Sequence, residues 1–404
     1  MGFPAAEPFH ARYRHVARGR HDHGDAQADL RADHRATAGL RYLIAAVLLV
    51  VLTVGAAMAE TVRIASYSPE LSRKGPGLLL RDILKSEDEQ IAAFISVVAE
   101  LSPDILLLTG FDYDAGNVAL RALAEHLAEA GADYPHLFSL RPNSGMATKL
   151  DMDGNGRTGE PRDAQGYGRF SGHGGMALLS RFPVIEEEVR DFSALLWKDL
   201  PGARLPATGG VPFPSEEALA IQRLSSTGHW VVPVRGPGRA ALSLLAMSAT
   251  PPVFDGPEDR NGLRNADETR LWQVFLDGGL GAPVPQEGFV ILGNMNLDPS
   301  DGDGRREAIA ALLADPRLQD PQPASPGARA AADPVHTGDP GLDTAEWTPA
   351  AKGGTGNLRV DYVLPSVDLE VVKSGVHWPE DERAQELARK ASRHRMVWVD
   401  IRIP

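Results

Sequence analysis

The chain has 404 residues, 43% of them hydrophobic, with 41 Gly, 31 Pro and no Cys. That content supports a large core interrupted by many loops, and it excludes a disulfide framework, a thiolate metal site and a cysteine nucleophile. The formal charge of -13 excludes a surface that gathers polyanions through its overall field.

Residues 1–41 are rich in His, Arg, Asp and Ala and show no apolar periodicity, so they read as an unstructured N-terminal extension. An apolar run follows from Tyr42 to Ala59, with Arg41 before it and Ala57-Met58-Ala59 at its end. A positive residue, an apolar stretch and an Ala-x-Ala ending predict a signal peptide over 42–59, cleaved after Ala59, and a secreted or periplasmic protein. The other reading is an uncleaved membrane anchor, because about 18 apolar residues can just span a bilayer. A membrane is a partner only in that case. The remaining residues, 60–404, read as one domain.

Alternation predicts a strand over 61–67, and helical spacing of Ile91, Phe94, Ile95 and Val98 predicts a helix over 86–101. Pro103-Asp104 ends it, and a short buried strand is expected at 105–108. A second helix is expected over 117–130, then a strand at 134–140 and a polar, Gly-rich excursion to about residue 170. Strands are expected at 176–180 and 184–192, a Pro-rich loop at 193–218, and further strands at 228–234 and 241–247. The pattern continues with a helix at 267–276, a strand at 289–292, a helix at 305–313 and a long loop over 315–356. Strands at 358–364, 369–377 and 396–403 close the chain, with a helix near 381–392. Strands and helices without strict alternation of the two predict α/β layers on antiparallel sheets.

Within the excursion, Asp151-Met-Asp153-Gly-Asn155-Gly156 places oxygen donors at positions 1, 3 and 5 of a calcium loop and Gly at 6. Position 12 is Arg162 instead of Glu, which leaves Glu160 or Asp163 to supply the missing carboxylate. The plain reading is a Gly-rich polar turn. Asp112 and Asp114 flank Tyr113 and are candidates for a shifted metal site or for loop hydrogen bonds. Asp298, Asp301 and Asp303 read as turn and helix-capping chemistry.

Six strings occur in a telling order: Arg63-Ile-Ala-Ser-Tyr67, Pro103-Asp-Ile-Leu-Leu-Leu108, Gly175-Met-Ala-Leu-Leu-Ser-Arg181, Leu292-Gly-Asn-Met-Asn-Leu297, Arg359-Val-Asp-Tyr-Val-Leu364 and His394-Arg-Met-Val-Trp398. Together they resemble the endonuclease/exonuclease/phosphatase superfamily, the deoxyribonuclease I-like fold, from Arg63 to Asp400. The resemblance implies a four-layer sandwich of two mainly antiparallel sheets flanked by helices, with the active site on loops at one end. It also implies magnesium, a His–Asp pair, a second Asp for proton transfer and Asn residues that orient a phosphate. Phosphoryl chemistry is mostly positioning and charge neutralisation, and a hard cation needs carboxylates.

Matched residue by residue, the resemblance retains Asn296, Asp361 and His394, the last two as the Asp–His pair. Ser68 stands where the family carries Asn, Gly110 where it carries a metal-binding Glu, and Ser248 where it carries His. Asn294 stands for the Asp of Gly-Asp-x-Asn, and Arg393 for the metal-contacting Asp before the last His. An amide takes up no proton at neutral pH, and one general acid or base is worth roughly 10²–10⁴ in rate. An arginine puts a positive charge where a cation needs a negative one.

The leading expectation is therefore a degenerate member, hydrolytically weak or inactive, that binds an anionic ligand or a partner: a phosphorylated small molecule or a protein. Arg393 would hold the anion with Asn296 and His394, since a guanidinium grips phosphate without metal. Nucleic acid is not expected without the metal. Two alternatives stand beside this reading: an active magnesium-dependent phosphoesterase with a rearranged site, and a structural or interaction protein. The plain readings of the retained residues are a structural strut for His394 on Asp361 and a loop cap for Asn296.

Overall fold

The computed structural model describes residues 60–239 and 241–403. The extension at 1–41 and the signal peptide or anchor at 42–59 lie outside the described residues. Among the described residues, no helix is long and apolar enough to cross a membrane.

Two sheets face each other. The first runs Glu370–Val376, Val397–Ile403, Glu60–Tyr67, Ile105–Phe111, Gly175–Ser180, His136–Phe138 from edge to edge. The second runs Asp361–Pro365, Phe289–Asn294, Ala241–Ser248, Gly228–Arg235, Arg190–Asp191. Each holds one parallel pair, Glu60–Tyr67 with Ile105–Phe111 and Ala241–Ser248 with Phe289–Asn294, among antiparallel neighbours.

Period-2 alternation sorts the side chains into three cores. Val62, Ile64, Ile105, Leu107, Met176 and Leu178 of the first sheet meet Trp230, Val232, Leu244, Val290 and Leu292 of the second. The residues between them point outwards. Ala65, Tyr67, Leu106 and Leu108 pack under helices Leu78–Lys85, Glu89–Leu101 and Val118–Glu129. Val231, Leu245, Met247 and Ile291 pack under helices Arg260–Leu276 and Glu307–Leu313. Helices, sheet, sheet and helices give the four layers that the sequence predicts.

Several elements differ from the sequence expectation. Leu78–Lys85 is a helix that its short apolar pattern does not announce. Helix Arg260–Leu276 begins seven residues before the expected start, because its first turns carry buried polar residues instead of an apolar stripe. The strand expected at 184–192 shrinks to Arg190–Asp191 after a 3-10 turn at Glu186–Glu188. The loop expected at 193–218 contains a two-stranded ribbon, Ala207–Thr208 with Val211–Pro212, and the start of helix Glu216–Ile221. The long loop at 315–356 holds only a short helix, Pro326–Ala330, and two 3-10 turns.

Candidate active site

The strand ends bring the candidate residues to one end of the sandwich. Ser68 follows the strand Glu60–Tyr67, and Gly110 lies near the end of Ile105–Phe111. Ser248 and Asn294 are the last residues of neighbouring parallel strands, and Asp361 opens the antiparallel strand beside them. Asn294 is in register with both Ser248 and Asp361, so the three stand abreast. His394 arrives from the turn between helix Glu382–Ala391 and the last strand.

The retained pair forms. His394 Nδ1 lies 2.7 Å from Asp361 Oδ2, with Asp361 fully buried and His394 nearly so. A carboxylate only accepts, so Nδ1 carries the proton and Nε2 of the neutral ring keeps its lone pair. The 3.4 Å approach of Asn294 Nδ2 to the same Nδ1 then sets two donors against each other and is a packing contact. Thr344 Oγ1 donates to Asp361 Oδ2 at 3.1 Å and accepts from the backbone of Val360 and Asp361. Trp347 sets its ring at 84° to the imidazole with centroids 5.4 Å apart. Both residues come from the long loop, which pairs with the turn through Glu346 N to Arg393 O and Arg395 N to Thr344 O.

The place of the metal is built differently. Arg393 donates through Nε to both carboxylate oxygens of Glu70, at 3.0 and 3.2 Å, and through Nη2 to Oε1. Its backbone N–H donates to Glu70 as well, at 3.2 Å. Burial pushes the Glu70 carboxyl up, but the hydrogen bonds of Arg393, with the charges of His394 and Arg393, more than offset that and hold it below its ordinary value. Glu70 was not singled out in the sequence. Its signal was available: a carboxylate two residues past Ser68, in a cleft that otherwise gained a cation.

This pair engages the guanidinium that the sequence reading assigned to an anion together with Asn296 and His394. The guanidinium fork already holds a carboxylate. Asn296 donates its Nδ2 to Ala249 O at 2.8 Å, and Asn294 Oδ1 accepts the Asn296 N–H at 2.8 Å, so the asparagines tie down their own turn. Gly110 has a backbone reason. It sits at a β-bulge between Thr109 and Phe111 with φ +72°, a region that side-chain-bearing residues disfavour. Asp112 accepts from Arg73 N and Gly174 N, and burial raises its carboxyl to about 6. Asp114 accepts from Val118 N and Ala119 N at a helix start. Both aspartates accept from backbone N–H groups of their loops.

Beneath the cleft, Glu268 is fully buried and accepts from Ser226 N, Ser226 Oγ and Thr250 N. Asn265 donates to Thr250 O and Met295 O. One helix thus fixes the ends of three loops around the site, a role that the sequence did not announce because these polar residues interrupt the apolar stripe.

In the excursion, carboxylate oxygens of Asp151, Asp153 and Asp163 lie within 4.8 Å of one another. Asp163 is one of the two carboxylates expected to complete this loop; the Asn155 amide donates to Glu160 at 2.8 Å and to Asp153 at 3.2 Å. Asp151 accepts from Gly154 N and Gly156 N, which closes the turn.

The sequence matches the Endonuclease/Exonuclease/phosphatase family over residues 82–394. No curated protein sequence matches the chain. Among solved structures, it is similar to an endonuclease/exonuclease/phosphatase from Beutenbergia cavernae at 18% identity and TM-score 0.50, covering 85% of this chain and 72% of that one. A family protein from Leptotrichia buccalis aligns at 14% identity and TM-score 0.45, covering 85% and 100%. One from Bacteroides thetaiotaomicron aligns at 12% identity and TM-score 0.46, covering 86% and 99%. At 18% identity the likeness to the Beutenbergia cavernae structure speaks for the fold alone.

Proposed function

Because the chain belongs to the endonuclease/exonuclease/phosphatase family, we propose that it is an exported member whose cleft is not built for metal-dependent hydrolysis and which acts by binding. The observation that carries this reading is the Glu70–Arg393 pair. A guanidinium stands where a divalent cation would need a ligand, and it neutralises the one carboxylate that faces it. Asn294 and Ser248 offer neutral atoms where the family's chemistry uses a carboxylate and an imidazole. The residues present therefore do not fit a magnesium ion. His394, backed by Asp361, retains a lone pair on Nε2 that can accept a proton. A proton acceptor alone leaves the charge of a phosphoryl transition state uncompensated.

The test is turnover of a chromogenic phosphodiester and a phosphomonoester with magnesium or manganese, wild type against His394→Ala. No chelator-sensitive rate above that of the variant is expected. A metal-dependent rate abolished by His394→Ala overturns the reading. One observation favours the alternative of a rearranged enzyme: Glu70 does place a carboxylate in the cleft, and the Arg393 side chain is 60% exposed and has room to leave. The same assay decides between the two.

Export is supported by Arg41, the apolar run and Ala57-Met58-Ala59. A mature N-terminus at Glu60 is expected by mass spectrometry of the expressed protein. An intact chain in the membrane fraction would favour the anchor instead.

A further inference from the structure

A cavity of about 740 Å³ opens beside the cleft, between the turn after Ala241–Ser248, the start of helix Arg260–Leu276 and the excursion. That volume suits a small organic molecule. Thr250 and Pro251 form the wall nearest the cleft, and Phe213, Phe254 and Tyr167 supply aromatic surface.

Two guanidinium groups line this cavity, Arg260 and Arg264, at 8% and 3% exposure. They are four residues apart and share one helix face. Among the described residues, neither makes an ion pair within 4.0 Å of a carboxylate. Arg260 Nη2 donates to the neutral Gln222 Oε1 at 2.7 Å, and its Nε is buried without a partner. Arg264 donates only to carbonyls, of Leu224, Gln165 and Arg223. Burial lowers the affinity of both for their protons, to about 10 for Arg264, against the more distant pull of Asp153, Asp255, Glu258 and Asp163 on Arg260 and of Glu268 on Arg264, while Arg260 adds to the field at Arg264.

The carboxylates of the lining do not close this account. Asp153 faces Arg162 at 3.7 Å, Asp255 accepts from Asn261 N and Glu258 accepts from Gly256 N. A buried charge without a hydrogen-bonded counter-charge is costly, and two side by side cost more. The mouth carries a second anomaly. Phe254 is 77% exposed and holds φ at +71°, where a bulky side chain is rare. Backbone strain of this kind persists where the surroundings enforce it, often at ligand sites.

We propose that this cavity binds a small molecule bearing a phosphate or carboxylate on an aromatic or apolar body. The anion bridges Arg260 and Arg264, and the body lies against Phe213 and Phe254. The anion removes the unpaired charge, and the body covers the exposed ring. The site is distinct from the Glu70–Arg393 cleft, so it stands whether or not the cleft hydrolyses anything.

Calorimetry with phenyl phosphate, phenylacetate, inorganic phosphate and the neutral benzyl alcohol tests this. Saturable binding of phenyl phosphate or phenylacetate is expected, and comparing the two identifies the preferred anion. Arg260→Gln should weaken it about tenfold or more, the loss of a charge-assisted contact. Phe254→Ala, at an exposed position that leaves the core intact, should weaken both aromatic anions and leave inorganic phosphate unchanged. His394→Ala should bind as the wild type does, which separates this site from the cleft. Absence of saturable binding of the aromatic anions up to about 10 mM, equal affinity for benzyl alcohol, or affinity unaltered by Arg260→Gln overturns the proposal. If Arg260→Gln does not fold, an unaltered affinity for the aromatic anions in Phe254→Ala overturns it alone.

Discussion

Arg393→Asp puts the electrostatic reading of the cleft to its hardest test. In the wild type, Glu70 and Arg393 cancel. In the variant, two carboxylates face each other at about 5 Å, and at an effective dielectric between 20 and 80 they repel by about 1–3 kcal/mol. The lost pair adds about 1 kcal/mol at most, since Arg393 is 60% and Glu70 29% exposed. Together the metal-free variant loses about 2–4 kcal/mol. With an unfolding entropy of about 2.1 cal/mol/K per residue over residues 60–403, that lowers Tm by about 3–6 °C. Magnesium should reverse this. At a free concentration about a hundredfold above its Kd it restores about 2.7 kcal/mol, or about 4 °C. Melting curves of wild type and variant, with magnesium and with chelator, read both effects. Wild type should not respond to magnesium. A wild-type Tm that rises saturably with magnesium, or a variant that ignores the ion, refutes the claim that charge at position 393 decides whether the cleft accepts a cation.

Three further outcomes are expected. Glu268→Ala strips the acceptor from Ser226 N, Ser226 Oγ and Thr250 N and should cost about 3–5 kcal/mol in denaturant unfolding; a loss under about 1 kcal/mol would show that the network is not what fixes the loops. His229 is fully buried, and burial lowers its proton affinity to about 4 from the ordinary 6.5. The unfolded chain thus binds the proton first, and stability present above pH 6.5 is lost as the pH falls towards 4, by about 3 kcal/mol. Unfolding curves across that window should show the slope, and His229→Asn should flatten it; parallel profiles would reject the assignment. Calcium should relieve the repulsion among Asp151, Asp153 and Asp163 and raise Tm in the wild type but not in Asp153→Ala; equal shifts in the two proteins would remove calcium from the loop.

The sheets were legible in the sequence because their strands alternate so regularly. Val62 and Ile64 face one core while Ala65 and Tyr67 face another, and Leu106, Leu107 and Leu108 split in the same way. Helix Arg260–Leu276 was half hidden, because Arg264, Asn265 and Glu268 are buried for their hydrogen bonds and break the apolar period. The His394–Asp361 pair followed from the family resemblance, which matches these two positions to its Asp–His pair. Glu70 did not, since its role comes from the fold bringing residues 70 and 393 together. Of the two carboxylates that the sequence offered to complete the Asp151 loop, the turn at Pro161–Asp163 folds that of Asp163 back onto Asp151 and Asp153.

Strand Val397–Ile403 lies between Glu370–Val376 and Glu60–Tyr67, so the first segment of the domain to leave the ribosome pairs with the last. The first sheet cannot close until strand Val397–Ile403 has been made. Pairings this distant are slow to form. A chain in this condition keeps that sheet open and its strand edges unpaired for a time. It also makes the C-terminal strand a poor place for a truncation or a tag that restrains it.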